Sequence, residues 1–237
     1  MITDITFITR RLAAFSHWLL PQSCFLCGNI STQPLCAACL ADLPYQSSVA
    51  CTRCAKRLPE MSEVLVCSQC RKQPPPYTHT QAIFSYTYPV NQLITAAKFN
   101  HNFALLKLLG DQMAQHLAIE SYPDVLIPIP LHPKRLRYRG YNQSLELAKC
   151  ISKQTGIPIN YTACQRIKNT RPQVGLSADE REINIKDAFV VKWTKPDWQY
   201  IILIDDVMTT GGTVTELANQ FLNSGIQRVD IWCCARR

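Results

Sequence analysis

The stretch Ile201 to Val214, I-I-L-I-D-D-V-M-T-T-G-G-T-V, limits the fold of this chain most sharply. The aliphatic run Ile201 to Ile204 suits a strand covered by helices on both faces, because such a strand has no solvent side that would impose alternation. The strand is expected to end at Asp205 and Asp206. Thr209, Thr210, Gly211, Gly212 and Thr213 follow, and Leu217, Ala218, Phe221 and Leu222 then recur at helical spacing as far as Ser224-Gly225. A strand–loop–helix unit of this kind aims loop N–H groups and the positive end of a helix at one spot, which suits a phosphate. Glycines let the backbone come close, and threonine hydroxyls add donors. The two carboxylates lie beside that spot, where they suit hydroxyls, so a sugar phosphate fits.

A second constraint comes from cysteine. Of twelve cysteines, eight form Cys-x-x-Cys pairs between Cys24 and Cys70: Cys24/Cys27, Cys36/Cys39, Cys51/Cys54 and Cys67/Cys70. Each pair suits a tight knuckle with both thiolates on one tetrahedral metal, and two knuckles complete a structural four-cysteine zinc site with no open position for water. Two zincs are therefore expected. The sequential partition, Cys24 to Cys39 on one ion and Cys51 to Cys70 on the other, is the simplest; a cross-braced partition remains open. Regular close pairs argue for metal in a reducing compartment over secreted disulfides, with a redox Cys-x-x-Cys as the alternative. This segment is too short for a hydrophobic core of its own, and metal would supply the missing folding energy. Cys150, Cys164, Cys233 and Cys234 lie in apolar contexts that suit packing.

At 237 residues the chain has room for one substantial core and a small second unit. Its formal charge of +8 points to anionic partners, whether phosphorylated substrates, nucleic acid or a membrane surface. Residues 1–20 read as an amphipathic helix, with Ile5, Ile8, Leu12, Phe15 and Leu19 at helical spacing. Packing on the body of the protein is one role for it and peripheral membrane contact another. No segment reads as a membrane span or a cleaved signal, since the apolar run falls short of about 20 residues. Residues 21–72 form the expected zinc module. The prolines of R-K-Q-P-P-P-Y-T-H mark a linker over 73–80, and 81–237 form the main domain.

Within that domain, Ala82 to Tyr88 reads as a strand, Leu93 to Leu117 as one long or broken helix, and Asp124 to Ile129 as a second buried strand. Lys98 lies in the helix, where a surface charge is the plain alternative. After the second strand, Lys134, Arg135, Arg137 and Arg139 make a basic loop, and in open α/β sheets ligands bind beyond the carboxyl ends of the strands. Guanidinium forks suit pyrophosphate, although a solvated charge run is the alternative. Ser144 to Lys153 reads as a helix, Ile157 to Ala163 and Ala188 to Lys192 as strands, and Val229 to Ala235 as the last strand. The polar stretch Gln165 to Lys186 exceeds the roughly 12 to 15 residues usual for a plain loop. With Arg166, Lys168, Thr170, Arg171, Gln173 and Arg181 it reads as a lid over an anion, with a helical turn at Ser177 to Arg181.

The aliphatic strand, Asp205-Asp206 and Thr209-Thr210-Gly211-Gly212-Thr213 resemble the loop that type I phosphoribosyltransferases use for phosphoribosyl pyrophosphate (PRPP). The resemblance implies that Asp205 and Asp206 hold the ribose hydroxyls and that Thr209 to Thr213 hold the 5′-phosphate. It also implies an α/β fold: a Rossmann-like parallel sheet with helices on both faces, preceded by a small four-cysteine zinc-ribbon module. A narrower likeness covers nearly the whole chain. The paired cysteines, L-I-T-A-A-K-F, P-I-P-L-H-P-K-R-L-R-Y-R-G-Y-N-Q-S and R-I-K-N-T-R-P-Q-V-G-L, with the loop, resemble the ComF family of competence and DNA-utilisation proteins.

That family implies a cytoplasmic protein that handles imported DNA or uses DNA as a nutrient. It places Lys98, Arg135, Arg139, Asn142, Gln143, Thr170, Gln173, Arg181 and Asn184 in motif positions, with Lys98, Arg135, Arg139, Thr170, Gln173 and Arg181 as the catalytic set. An enzyme of this kind would use PRPP with Mg²⁺ to transfer phosphoribose to an acceptor that the sequence does not name. The alternative is a PRPP-responsive scaffold that binds single-stranded DNA or a protein of the import machinery.

Overall fold

A computed structural model describes residues 22–47, 49–170, 185–192 and 197–237. The expected N-terminal helix therefore lies outside the described residues, as do the helical turn at 177–181 and the lid positions Arg171, Gln173, Arg181 and Asn184. The chain divides into two compact units, Met1–Leu43 and Pro44–Arg237.

In the smaller unit, β1 (Gln22–Ser23) pairs antiparallel with β2 (Ile30–Ser31). Gly28, at φ +75°, makes the knuckle between them, its N–H donating to the Cys24 carbonyl at 2.9 Å. A short helix, α1 (Ala37–Ala41), follows from Cys36.

The larger unit opens with the second pair of knuckles and α2 (Ser68–Lys72). Four parallel strands then form its sheet: β3 (Thr80–Ser85), β4 (Val125–Pro128), β7 (Tyr200–Met208) and β8 (Arg228–Arg236), in the order β3-β8-β7-β4. A separate antiparallel pair, β5 (Cys164–Arg166) and β6 (Phe189–Val191), lies between β4 and β7 in the chain. The segment Ile157 to Ala163, expected as a strand, makes only an isolated parallel bridge from Ile159 to Leu126. The Asn160 side chain instead accepts bonds from the Thr162 and Ala163 N–H groups and turns the chain into β5.

Side-chain alternation explains why both faces of the sheet are dry. Val125, Ile127, Ile201, Leu203, Val229, Ile231 and Cys233 share a core with Val214, Leu217, Ala218 and Phe221 of α7 (Gly212–Asn223). Cys234, one residue on, lies on the other face and lines a small cavity with Ile94, Ala97, Leu106, Leu109 and Leu147. These come from α3 (Val90–Phe99), α4 (Phe103–His116) and α6 (Gln143–Thr155). Of the two forms expected for Leu93 to Leu117, one long helix or a broken one, the broken form is found. His101 at φ +51° interrupts the helix, and the Asn102 side chain caps α4 by accepting from the Leu105 N–H at 3.1 Å.

Candidate ribose-phosphate site

All four strands of the sheet are parallel, so their carboxyl ends open on one side, and the loops that follow them share that edge. Asp205 and Asp206 lie within β7, which runs on to Met208 instead of ending at the acidic pair. The extension has a physical cause: Val207 and Met208 still pair with Ala235 and Arg236 of β8. After Thr209 and Thr210 the chain turns at Gly211, whose φ of +87° is the left-handed conformation that glycine adopts without cost. Gly212 then opens α7, so Thr213 and Val214 stand in its first turn.

The acidic pair is held rigidly. The Asp205 carboxylate accepts from the Asp206 N–H at 2.9 Å, and the Lys98 ammonium lies 2.8 Å from Asp206 Oδ2. Burial, and then the charge of Asp206, push the Asp205 carboxyl up to about 7. Burial works against the Lys98 charge, but Asp206 and then Asp205 outweigh it and raise that group above its ordinary value. Lys98, at the end of α3, is thus the counter-ion of the pair and no solvated surface charge. Among the described residues the second oxygen of each carboxylate has no hydrogen-bond partner.

The basic run stands on a helix, not on the loop the sequence suggested. Pro133 sits in the first turn of α5 (Pro133–Arg139), His132 caps it, and Gly140 at φ +80° closes it. Arg135 donates to the Thr170 carbonyl at 2.6 Å, and Arg166 donates to the Thr170 hydroxyl. Arg166 is 6% exposed, stacks on Phe189 at 5.4 Å, and its Nε has no partner among the described residues. Burial and then Arg135 lower Arg166 to about 10, while Asp205 opposes this; burial and then Arg139 lower Arg135. Among the described residues Arg135, Arg139 and Arg166 form no ion pair with a carboxylate. Clustered guanidiniums that depress one another are relieved when an anion binds.

Asn142 and Gln143 adjoin this edge. The Asn142 amide donates to the Ile129 carbonyl at 3.0 Å, and its oxygen caps α6 by accepting from the Ser144 N–H. Gln143 is buried at the start of that helix.

The eight paired cysteines gather into two quartets, Cys24/Cys27/Cys36/Cys39 and Cys51/Cys54/Cys67/Cys70, with the sulfurs of each within 4.8 Å of one another. The partition is therefore sequential. The thiolate donor sets fit zinc. In the second quartet, burial raises the Cys51 thiol, but the N–H groups of Cys67, Cys54 and Arg53 bring it down to about 7, toward the thiolate a metal needs.

Comparison with known proteins agrees with this architecture. The family model for the double zinc ribbon domain matches residues 15–71. Competence protein F of Haemophilus influenzae is 32% identical over 227 residues, spanning 90% of this chain and 96% of that protein. The chain belongs to the ComF family. DNA utilization protein YhgH of Salmonella typhimurium is 30% identical, spanning 92% of this chain and 98% of that protein. A solved allosteric regulatory enzyme of purine biosynthesis overlaps 54% of this chain and 25% of its own at 19% identity, with a TM-score of 0.37. That overlap is too slight to set the fold. The fold class rests on the parallel sheet with helices on both faces and on the zinc ribbon: an α/β unit that follows four-cysteine knuckle pairs in the chain. Among the described residues no helix of this ComF-family protein is long and apolar enough to cross a membrane.

Tyr77 and Arg236 also belong to the neighbourhood of the loop, and neither carries a motif. Tyr77, inside the proline-rich stretch, is 2% exposed, and its hydroxyl would lie 3.2 Å from a Cβ at Gly211. Arg236 donates to the Met208 carbonyl at 3.1 Å and also to that of Thr209.

Proposed function

We propose that this ComF-family protein binds PRPP at the β7–α7 loop and serves the uptake or utilisation of DNA. The observation that carries the first part is the juxtaposition at one sheet edge of Asp205 and Asp206, the left-handed Gly211 turn into α7, and arginines that pair with no carboxylate among the described residues. Each part meets a different portion of the ligand. Asp205 and Asp206 accept from the ribose hydroxyls, the N–H groups and hydroxyls of Thr209 to Thr213 surround the 5′-phosphate, and Arg135 and Arg139 face the pyrophosphate. Magnesium, bound by pyrophosphate oxygens and suited to hard oxygen donors such as these carboxylates, would neutralise part of the leaving charge. Fixed positions for ribose and pyrophosphate favour cleavage at C1, because positioning and charge stabilisation are what such a displacement asks of a protein. Transfer to an acceptor is the enzymatic form of the proposal, with Lys98, Arg135, Arg139, Thr170, Gln173 and Arg181 as its residues. The DNA role rests on the relatives named for competence and DNA utilisation.

Calorimetry with Mg–PRPP tests the binding. Saturable binding by the wild type, lost in Asp205→Asn/Asp206→Asn, is expected; no heat from the wild type beside a binding control phosphoribosyltransferase would remove the proposal. Screening nucleobases, nucleotides and ammonia for PRPP-dependent pyrophosphate release then seeks the acceptor.

A second reading has support of its own. Phe99, Phe103 and Tyr138 are more than half exposed, and the Arg139 guanidinium lies 5.5 Å from the Phe99 ring centroid. Exposed rings beside guanidiniums, with a net charge of +8, suit single-stranded DNA held by stacking and phosphate contacts. Under that reading the transferase fold is a PRPP-responsive scaffold. DNA utilisation that persists in cells carrying Asp205→Asn/Asp206→Asn favours a scaffold that binds DNA without need of PRPP over the enzyme.

A further inference from the structure

The second cysteine quartet is joined to the β7–α7 loop by side chains that neither site needs for its own chemistry. Arg236, at the end of β8, spans the two. Its Nε donates to the Cys54 carbonyl at 2.7 Å, while Nη1 donates to the carbonyls of Met208 and Thr209, the residues that open the loop. Tyr77 makes a second link. It belongs to the same buried core as Cys51, Cys54, Cys67 and Cys70 and as Met208 and Val214, and its hydroxyl faces Gly211 and Thr215. A third tie runs to the sheet: the Thr80 hydroxyl donates to the Arg53 carbonyl at 2.6 Å, and the Thr80 N–H donates to the Thr52 carbonyl at 2.9 Å. The knuckle between Cys51 and Cys54 is therefore bonded both to β3 and, through Arg236, to the carboxyl end of β7.

We infer that Arg236 is a positioning residue which couples the metal-bound state of the second quartet to the shape of the phosphate loop. The argument is one of shared acceptors. A guanidinium is a planar fork, so its two ends cannot satisfy carbonyls on separate segments unless both segments hold still. When the second quartet is closed on its metal, the Cys54 carbonyl is fixed, the fork is fixed, and the Met208 and Thr209 carbonyls are turned toward it. Their peptide planes then present the following N–H groups on the opposite side. Without metal the knuckle loses its tether, and the fork loses one end. Coupling of this kind is reciprocal: a ligand on the loop steadies the Cys51–Cys54 knuckle as much as the knuckle steadies the loop. That the loop's ligand is a phosphate rests on the proposal above; the coupling itself does not.

Hydrogen exchange followed by mass spectrometry on the full chain, with zinc content measured alongside, tests the inference without needing a ligand. Arg236→Met and Arg236→Lys are compared with the wild type; the lysine keeps the charge but cannot span both ends. Both variants are expected to keep their zinc and to exchange amides of 208–214 about tenfold faster, the effect of losing one buried hydrogen bond. Zinc stripped from the wild type is expected to quicken the same amides. With Mg–PRPP present, exchange in 51–56 is expected to slow in the wild type and not in Arg236→Met. Unchanged exchange of 208–214 in zinc-replete variants would overturn the coupling. Faster exchange in the variants, with no response of the wild type to PRPP, would uphold the coupling and remove the PRPP reading instead.

Discussion

Lys98 and Asp206 form an ion pair of 2.8 Å in which both side chains are at least four-fifths buried. Asp206 stands next to Asp205, so the lysine keeps two adjacent carboxylates from repelling across a site with little water. Removing one partner of such a pair leaves an uncompensated charge, which costs about 3–5 kcal/mol when burial is complete and less at partial exposure. Lys98→Met should therefore lower stability by roughly 2–3 kcal/mol. In a double-mutant cycle with Asp206→Asn, the second change should cost much less in the Lys98→Met background. Urea denaturation of the four proteins reads the coupling, and strict additivity would mean that the pair contributes nothing.

Asp205 sets a pH dependence whose sign can be worked out. Its carboxyl, raised to about 7 by burial and the Asp206 charge, holds a proton in the folded chain at pH values where the unfolded chain has lost it. Between about pH 4 and 7 the folded state binds more protons, so this group makes stability fall as pH rises across that window. Thermal melts at pH 5 and pH 7.5 should show a drop in the wild type that is smaller in Asp205→Asn. Binding moves the opposite way. Ionisation frees the oxygen of Asp205 that the Asp206 N–H leaves open to accept from a ribose hydroxyl, so Mg–PRPP affinity should strengthen from pH 6 to pH 8, and that slope should vanish in Asp205→Asn.

The sheet was legible because its strands carry apolar runs that a doubly covered position favours, aliphatic at Ile201 to Ile204 and broken only by Asp230 at Val229 to Cys234. The quartets were legible through spacing, although only the folded chain separates sequential from cross-braced ligation. The helix under Arg135 and Arg139 carried its cues in His132, Pro133 and Gly140, but seven residues leave too few turns for periodicity to show. Asp205 and Asp206 hid inside a strand because pairing is made by the partner: the β8 residues that extend the ladder to Met208 are invisible from β7 alone. Arg236 gave no sign at all. Its acceptors lie on Cys54 and Met208, distant in sequence, and backbone carbonyls leave no residue code.

Metal removal should be felt in the core of the larger unit. Cys51, Cys54, Cys67 and Cys70 are buried together with Tyr77, Met208 and Leu217, so opening that quartet exposes apolar surface that belongs to the sheet. A structural zinc supplies about 10–16 kcal/mol in isolated fingers. Even a quarter of that, at about 2–4 °C per kcal/mol for a unit of this size, lowers Tm by about 5–16 °C. Cys70→Ser, with zinc counted before and after purification, should show this shift and the loss of one zinc. An unchanged melt with one zinc missing would separate the quartet from the core.

Gly211 and Gly212 offer a matched pair for the loop, since they are adjacent and differ in what they tolerate. A Cβ at Gly211 would meet Met208 Cε at 3.0 Å and the Tyr77 hydroxyl at 3.2 Å, on a backbone already at φ +87°. Among the described residues a Cβ at Gly212 meets Ile185 Cγ2 and Thr210 Oγ1, both at 3.8 Å, with no left-handed backbone to strain. Alanine at 211 pays for the left-handed conformation, roughly 1–2 kcal/mol, and displaces either the methionine or the tyrosine. Alanine at 212 sits in ordinary contact at the start of a helix, where alanine is favourable. Gly211→Ala should therefore weaken Mg–PRPP binding about tenfold or more and lower Tm by several degrees, while Gly212→Ala keeps the melt of the wild type. If Gly212→Ala nevertheless loses binding at unchanged stability, the close approach of the ligand lies at residue 212 itself, and the phosphate rests on the first turn of α7 instead of on the turn before it.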